Sequence, residues 1–280
     1  VGDLLSRMTL EEKVMQLNQY TLGRNDNANN MADPVNDIPA EIGSLIYYGS
    51  SPELRNRVQR KAVEESRLGI PILFGHDVIH GFRTTYPISL AQACSWNPAL
   101  VEKAAGVAAQ EARMSGVDWT FSPMIDVARD PRWGRVVECY GEDPFLIAEL
   151  GIEMVRGIQS QGVASTLKHY AAYSVPKGGR DGNCRTDPHI APRELHQMYL
   201  YPFRRVIREA RPMGVMSSYN DWDGVPVTAS RYFLTDLLRH EYGFDGYVVS
   251  DSEAVEYVHT KHAVAETYEE AVRQVLEAGL

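Results

Sequence analysis

Six short apolar runs, each followed by a longer stretch of helical periodicity, constrain most strongly what this 280-residue chain can become. The runs are residues 42–48, 69–75, 117–121, 163–167, 213–218 and 247–251. Between and after them lie the helical stretches 52–67, 97–114, 144–161, 192–210, 231–242 and 267–278, with an amphipathic helix over 9–17 ahead of them all. Thr9 and Glu12 are spaced for a capping box, and Asn97-Pro98 opens its helix with a cap and a first-turn proline. Strands separated by helices, with no hairpin signal between them, predict right-handed βαβ units and a parallel sheet. The expected fold class is therefore α/β: an eight-fold (β/α) barrel of the TIM type, C-terminally truncated in this chain, with about six strand–helix units visible. An open doubly wound sheet is the alternative, although no Gly-rich phosphate loop follows the first run.

Composition narrows the partners. A net charge of −9 and a pI near 5.4 argue against nucleic acid or an anionic membrane surface as a partner. No apolar run approaches the roughly 18 residues of a spanning helix, so membrane insertion is not expected. Cys94, Cys139 and Cys184 cannot all pair and are too far apart in sequence for a zinc cluster. Polar stretches at residues 25–37, 126–143 and 178–187 read as long loops. The 15 Tyr and 4 Trp are residues that stack on sugars as readily as they fill cores.

Chemistry collects where the runs end. An ionised carboxylate inside a doubly buried strand would cost several kcal/mol, whereas at its carboxyl end it faces the mouth of a barrel. Tyr247-Val248-Val249, which reads as a buried strand, ends in Ser250-Asp251; earlier runs end at Asp77, at Lys168-His169 and at Tyr219. Each has a plain alternative: Asp251 a helix cap, Lys168 a solvated charge, His169 a satisfied core histidine, Tyr219 a packing residue. Four at equivalent positions predict one shared site. No metal-ligand spacing and no serine elbow accompany them, so neither a metal nor a cofactor is expected. Carboxylates beside cationic donors suit a neutral polyhydroxylated ligand, and such a carboxylate can attack an anomeric carbon. Two rival readings stand beside this one: a barrel lyase with Lys168 as Schiff-base lysine, and a module that binds sugar without turning it over.

The segments Gly75-His76-Asp77-Val78-Ile79-His80-Gly81, Asp130-Pro131-Arg132-Trp133-Gly134-Arg135, Leu167-Lys168-His169-Tyr170-Ala171 and Val249-Ser250-Asp251 resemble, in this order, the motifs of glycoside hydrolase family 3. The resemblance extends to the opening Met8-Thr9-Leu10-Glu11-Glu12-Lys13. It implies a barrel domain over residues 1–280, incomplete here, followed by an α/β sandwich domain that this chain lacks and that would be its structural partner. It also implies a retaining β-glucosidase acting on non-reducing ends of oligosaccharides or β-glucosides, with a β-xylosidase of the same family as alternative. Carried over by motif, Asp251 is the catalytic nucleophile. Asp77, Arg135, Lys168 and His169 bind sugar hydroxyls, Tyr219 sits against the nucleophile, Met216 lines the wall, and Arg83 is a further sugar contact. Two departures from the family pattern stand out. Ser252 follows the nucleophile where many relatives have Trp, and Tyr170-Ala171-Ala172-Tyr173 replaces the Phe-Pro-Gly-His of the amino-sugar branch. The acid/base glutamate of most relatives belongs to the second domain; Glu138, Glu142 and Glu253 are the local candidates, and the sequence assigns none. The chain opens at Val1 and shows no signal peptide. A periplasmic or secreted location, with an upstream segment removed, is the expectation.

Overall fold

A computed structural model describes residues 1–22, 34–48, 51–174 and 187–280. Most of two of the predicted loops, and Cys184, lie outside the described residues. The chain divides into two compact units, Val1–Asp77 with Ala112–Thr120, and Val78–Glu111 with Phe121–Leu280.

In the first unit four strands pair in parallel: β1 (Gln19–Leu22), β2 (Ser44–Tyr47), β3 (Leu73–His76) and β4 (Trp119–Thr120). β1 was not expected; its residues Gln19-Tyr20-Thr21-Leu22 lack an apolar run, and pairing with β2 overrides that weak signal. Leu22, Ile42, Leu45, Ile72 and Phe74 form the core with Val58 and Ala62 from the helix Pro52–Glu65. Gly43 is required where the chain enters β2, because a Cβ there would lie 1.9 Å from the Gln16 carbonyl oxygen. The Thr9–Glu12 capping box forms in both directions, at 2.8 and 3.2 Å. Residues 34–37, expected as loop, form a short helix, and the Lys61 ammonium gathers carbonyls in and just past it: Nζ donates to Val35, Asn36 and Ile38 oxygens at 2.8, 3.1 and 2.7 Å.

In the second unit β5 (Ala164–Tyr170), β6 (Gly214–Ser217) and β9 (Tyr247–Ser250) pair in parallel, β6 in the middle. The extended segment 122–125 runs beside β5: Thr166 and Lys168 donate to the Ser122 and Pro123 carbonyls, and Ile125 donates back to Lys168. The helix Pro144–Gln159 buries Ile147, Leu150, Ile152, Met154, Val155 and Ile158, each worth about 1.5–3 kcal/mol of burial, and packs on the helix Tyr201–Ala210. Gly214 admits the Tyr247 ring, 2.3 Å from where a Cβ would stand, and the Tyr247 hydroxyl shares a 2.6 Å hydrogen bond with Thr166.

Two expectations are corrected here. A small antiparallel hairpin, β7 (Asp221–Trp222) and β8 (Val225–Pro226), follows β6 where no hairpin was expected. Its turn is Asp223-Gly224, with φ of 53° and 81°, the positive values that a tight hairpin turn demands. β9 is half-buried along its length rather than fully buried, because among the described residues it pairs only with β6.

Candidate active site

β5 carries the centre of the site. Leu167 pairs with Val215 and Tyr170 with Ser217, so three steps on β5 match two on β6. The extra residue breaks the alternation of side chains at Lys168 and His169, as bulges do where a strand must re-aim a residue. Both side chains end up buried, 4% and 1% exposed.

His169 is held on three sides. Its main-chain N–H donates to Oδ2 of Asp126 at 2.9 Å, and its ring Nδ1 lies 2.9 Å from the same oxygen. Nε2 lies 3.1 Å from Nη1 of Arg135 and 3.5 Å from Oδ2 of Asp251. Arg135 reaches this position because its Nε and Nη2 donate to the two oxygens of Glu138, at 2.7 and 2.8 Å, within the turn that follows Trp133-Gly134. Burial alone would lower the Arg135 guanidinium, but the Glu138 pair outweighs it and holds the group above its usual range, a permanent cation.

Asp251 follows β9 directly. Its Oδ1 accepts the Ser252 N–H at 2.8 Å. Its Oδ2 is buried and without a hydrogen-bond partner among the described residues. Burial pushes this carboxyl above the ordinary carboxylate range; Lys168, the Ser252 N–H, Arg135 and Tyr219 pull against it without cancelling it. The Tyr219 hydroxyl donates to the Ser252 carbonyl at 2.8 Å and so fixes the backbone just past Asp251.

Asp126 is a residue that sequence reading missed. Its place at the head of the polar stretch 126–143 predicts a loop residue, yet it is 3% exposed, and burial pushes its carboxyl up to about 7 against the opposing pull of the His169 N–H, Arg135 and Lys168. The signal was a lone carboxylate inside the apolar run Met124-Ile125-Asp126-Val127. Tyr173, also missed, closes the cluster, its ring edge-on to His169 at 5.0 Å and beneath the Arg135 guanidinium at 5.8 Å.

Of the expected site residues, the structure brings together Arg135, Lys168, His169, Tyr219 and Asp251. Met216 is buried on β6, beside Val249 in the ladder. Arg83 has an exposed side chain, and its backbone N–H donates to Glu111 at 2.9 Å. Asp77 directly follows β3 in the first unit. Two local candidates for the acid are already engaged: Glu138 by Arg135, and Glu253 as acceptor of the Tyr257 hydroxyl at 2.7 Å. Glu142 is exposed. Among the described residues no group of three His, Cys, Asp or Glu side chains is placed to hold a metal, and no helix is long and apolar enough to cross a membrane.

Comparison with known proteins converges on one family. The profile of the glycosyl hydrolase family 3 N-terminal domain matches residues 9–280. A periplasmic β-glucosidase of Salmonella typhimurium is 36% identical over 286 aligned positions, covering all of this chain and 36% of that protein. A β-xylosidase of Formosa agariphila is 34% identical over 93% of this chain and 38% of its own length. A mutant β-glucosidase of Listeria innocua, solved in complex with laminaribiose, superposes with a TM-score of 0.89 at 37% identity, over 99% of this chain and 40% of that one. The chain thus spans less than half of each of these relatives. With 99% of the chain aligned to the solved fold and the matched profile covering residues 9–280, the fold class is the parallel α/β barrel type, and the chain belongs to glycosyl hydrolase family 3, in the part formed by the family's N-terminal domain.

Proposed function

We propose that this chain carries the sugar-binding face and the nucleophile of a retaining β-glucosidase. The observation that carries the reading is Oδ2 of Asp251: a buried carboxylate oxygen with no hydrogen-bond partner among the described residues, at a strand end, under the positive charge of Lys168 and Arg135. A structural carboxylate would be bonded out. A carboxylate held at a strand end beside two cations, with one oxygen unclaimed by the described residues, is suited to attack. In the first step that oxygen forms a bond to the anomeric carbon as the glycosidic C–O bond breaks, and the leaving oxygen takes a proton from an acid. Water then displaces the carboxylate from the same carbon, restoring the β configuration. The acid is proposed to lie outside residues 1–280, since Glu138 and Glu253 are engaged elsewhere.

Lys168, His169 and Arg135 supply polar contacts to sugar hydroxyls in this reading, with Met216 and Tyr219 as wall; Asp77 and Arg83 are proposed as sugar contacts on the strength of their motif alone. Glucosides are the proposed substrates because the Salmonella and Listeria relatives are β-glucosidases, and β-xylosides come second on the strength of the Formosa relative. A Schiff-base role for Lys168 is disfavoured, because its charge is used to support Asp251 and Asp126. The name of the Salmonella relative supports a periplasmic location. The test is Asp251→Ala in the full-length protein. Turnover of aryl β-glucosides should fall by about four orders of magnitude, and added azide should restore it with α-glucosyl azide as product. A variant that keeps a tenth of its activity sinks the assignment.

A further inference from the structure

Tyr140, Tyr170 and Tyr219 are buried, and each satisfies its hydroxyl internally: Tyr140 donates to the Met154 sulfur at 2.8 Å, Tyr170 to the Phe233 carbonyl at 3.2 Å and Tyr219 to the Ser252 carbonyl at 2.8 Å. Tyr173 departs from this pattern. It is 2% exposed, and its hydroxyl is buried with no hydrogen-bond partner among the described residues. The Tyr242 hydroxyl is bare as well, but the charges that act on it, Glu241, Arg204 and Arg208, belong to none of the site residues. Those that act on the Tyr173 hydroxyl are Arg135, Asp251 and Asp126. Burial pushes this phenol well above its usual range, with the Arg135 guanidinium pulling against it, so it stays protonated at neutral pH. A guanidinium has only donors, so Arg135 can address the phenol oxygen and never its proton. What stays open is the O–H proton, in the same cluster as the bare oxygen of Asp251.

We propose that Tyr173 is a specificity-determining residue whose hydroxyl donates to one hydroxyl oxygen of the bound sugar, a hydrogen bond completed only when substrate enters. The inference rests on the reading of this cluster as the sugar site. The Tyr173 ring stands edge-on to His169, Trp133 and Tyr219, with centroids 5.0, 5.6 and 5.9 Å away, and the Arg135 guanidinium lies 5.8 Å from its centre. A phenylalanine ring makes the same packing without burying an unused donor, so the packing does not call for the hydroxyl. An acceptor that arrives from outside does. Sugar hydroxyls bring neutral acceptor oxygens, and a neutral phenol matches one of them without adding charge beside Asp251. A buried donor of this kind also discriminates: an analogue that lacks the matching hydroxyl leaves the phenol unpaired and is rejected.

The test compares full-length wild type with Tyr173→Phe on an aryl β-glucoside and on its analogues, each lacking one sugar hydroxyl. On the parent glucoside the variant should lose about tenfold in kcat/KM, the size of one hydrogen bond between neutral groups. The ratio of wild type to variant should stay near tenfold for every analogue but one, and for that one fall to within about twofold, because the bond is already missing from the substrate. Taking the ratio cancels the change in intrinsic reactivity that each deletion brings. In melts without sugar, Tyr173→Phe should match or exceed wild type, since no described residue loses a partner. An unchanged kcat/KM on the parent glucoside overturns the proposal, and so does a ratio equal across all the analogues. A lowered melting temperature in the variant overturns it too, because the hydroxyl is then bonded within the free protein. The reading beneath it is tested separately. A wild type inert toward the parent glucoside removes both, whereas a fluoroglucoside adduct away from Asp251 removes the nucleophile and leaves the Tyr173 ratios standing.

Discussion

Replacing Asp251 by Asn should make the protein more stable while removing its activity, and the gain should depend on pH. The folded environment raises the Asp251 carboxyl above its unfolded value, burial being the largest cause, even after Lys168, the Ser252 N–H, Arg135 and Tyr219 are counted. A carboxyl raised on folding contributes stability that is fully present below the unfolded pKa, near 3.9, and is lost as pH rises through the folded value. Above that value wild type carries a buried charge with one bare oxygen; the amide carries none. Relief of one unsatisfied buried acceptor is worth about 1–2 kcal/mol, which for a chain of this size moves Tm by about 2–8 °C. Melting followed by circular dichroism at pH 8 should place Asp251→Asn above wild type by that amount. At a low pH, below the unfolded value, the two curves should converge, because protonated Asp251 is as neutral as the amide. A lower Tm for the variant at pH 8, or a difference equal at both pH values, refutes the claim that this site sets stability aside for ionisation.

Two further outcomes test the framework around the nucleophile. Tyr219→Phe removes the donor to the Ser252 carbonyl; it should lower stability by about 0.5–1.5 kcal/mol in thermal melts and kcat by about tenfold, and unchanged values for both would mean that this bond positions nothing. Glu138→Gln loosens the bidentate hold on Arg135, so aryl glucoside turnover should fall by no more than about tenfold, without azide rescue; a loss of several orders of magnitude with rescue would identify Glu138 as the acid.

Residues that announce themselves by pattern were legible in the sequence. All six runs form strands, because Val, Ile and Leu at short spacing bounded by Gly and Pro leave few other folds. Asp251 was recognisable because a carboxylate ending an apolar run has few places to go. Asp126 was not, for a related reason. The apolar run ends at Phe121, whereas hydrogen bonds from β5 carry the extended segment on to Ile125, and the carboxylate beyond it is buried. The pairing of Glu138 with Arg135 was equally hidden, because nothing in their spacing separates a catalytic glutamate from one that anchors an arginine. β1 escaped because its polar sequence follows its neighbour's ladder. The β7–β8 turn, with its Asp223-Gly224 signature, was legible and was overlooked amid a parallel pattern.

The central claim, that the bare oxygen of Asp251 forms the bond to sugar, is tested most directly by trapping. Full-length protein is incubated with an activated 2-deoxy-2-fluoro-β-glucoside, digested, and the peptides are weighed and fragmented by mass spectrometry. A single fluoroglucosyl adduct is expected, on the peptide containing Val249-Ser250-Asp251 and localised to Asp251, forming in step with loss of activity. An adduct on Asp77, Glu138 or any other carboxylate, or inactivation with Asp251 unlabelled, would contradict it.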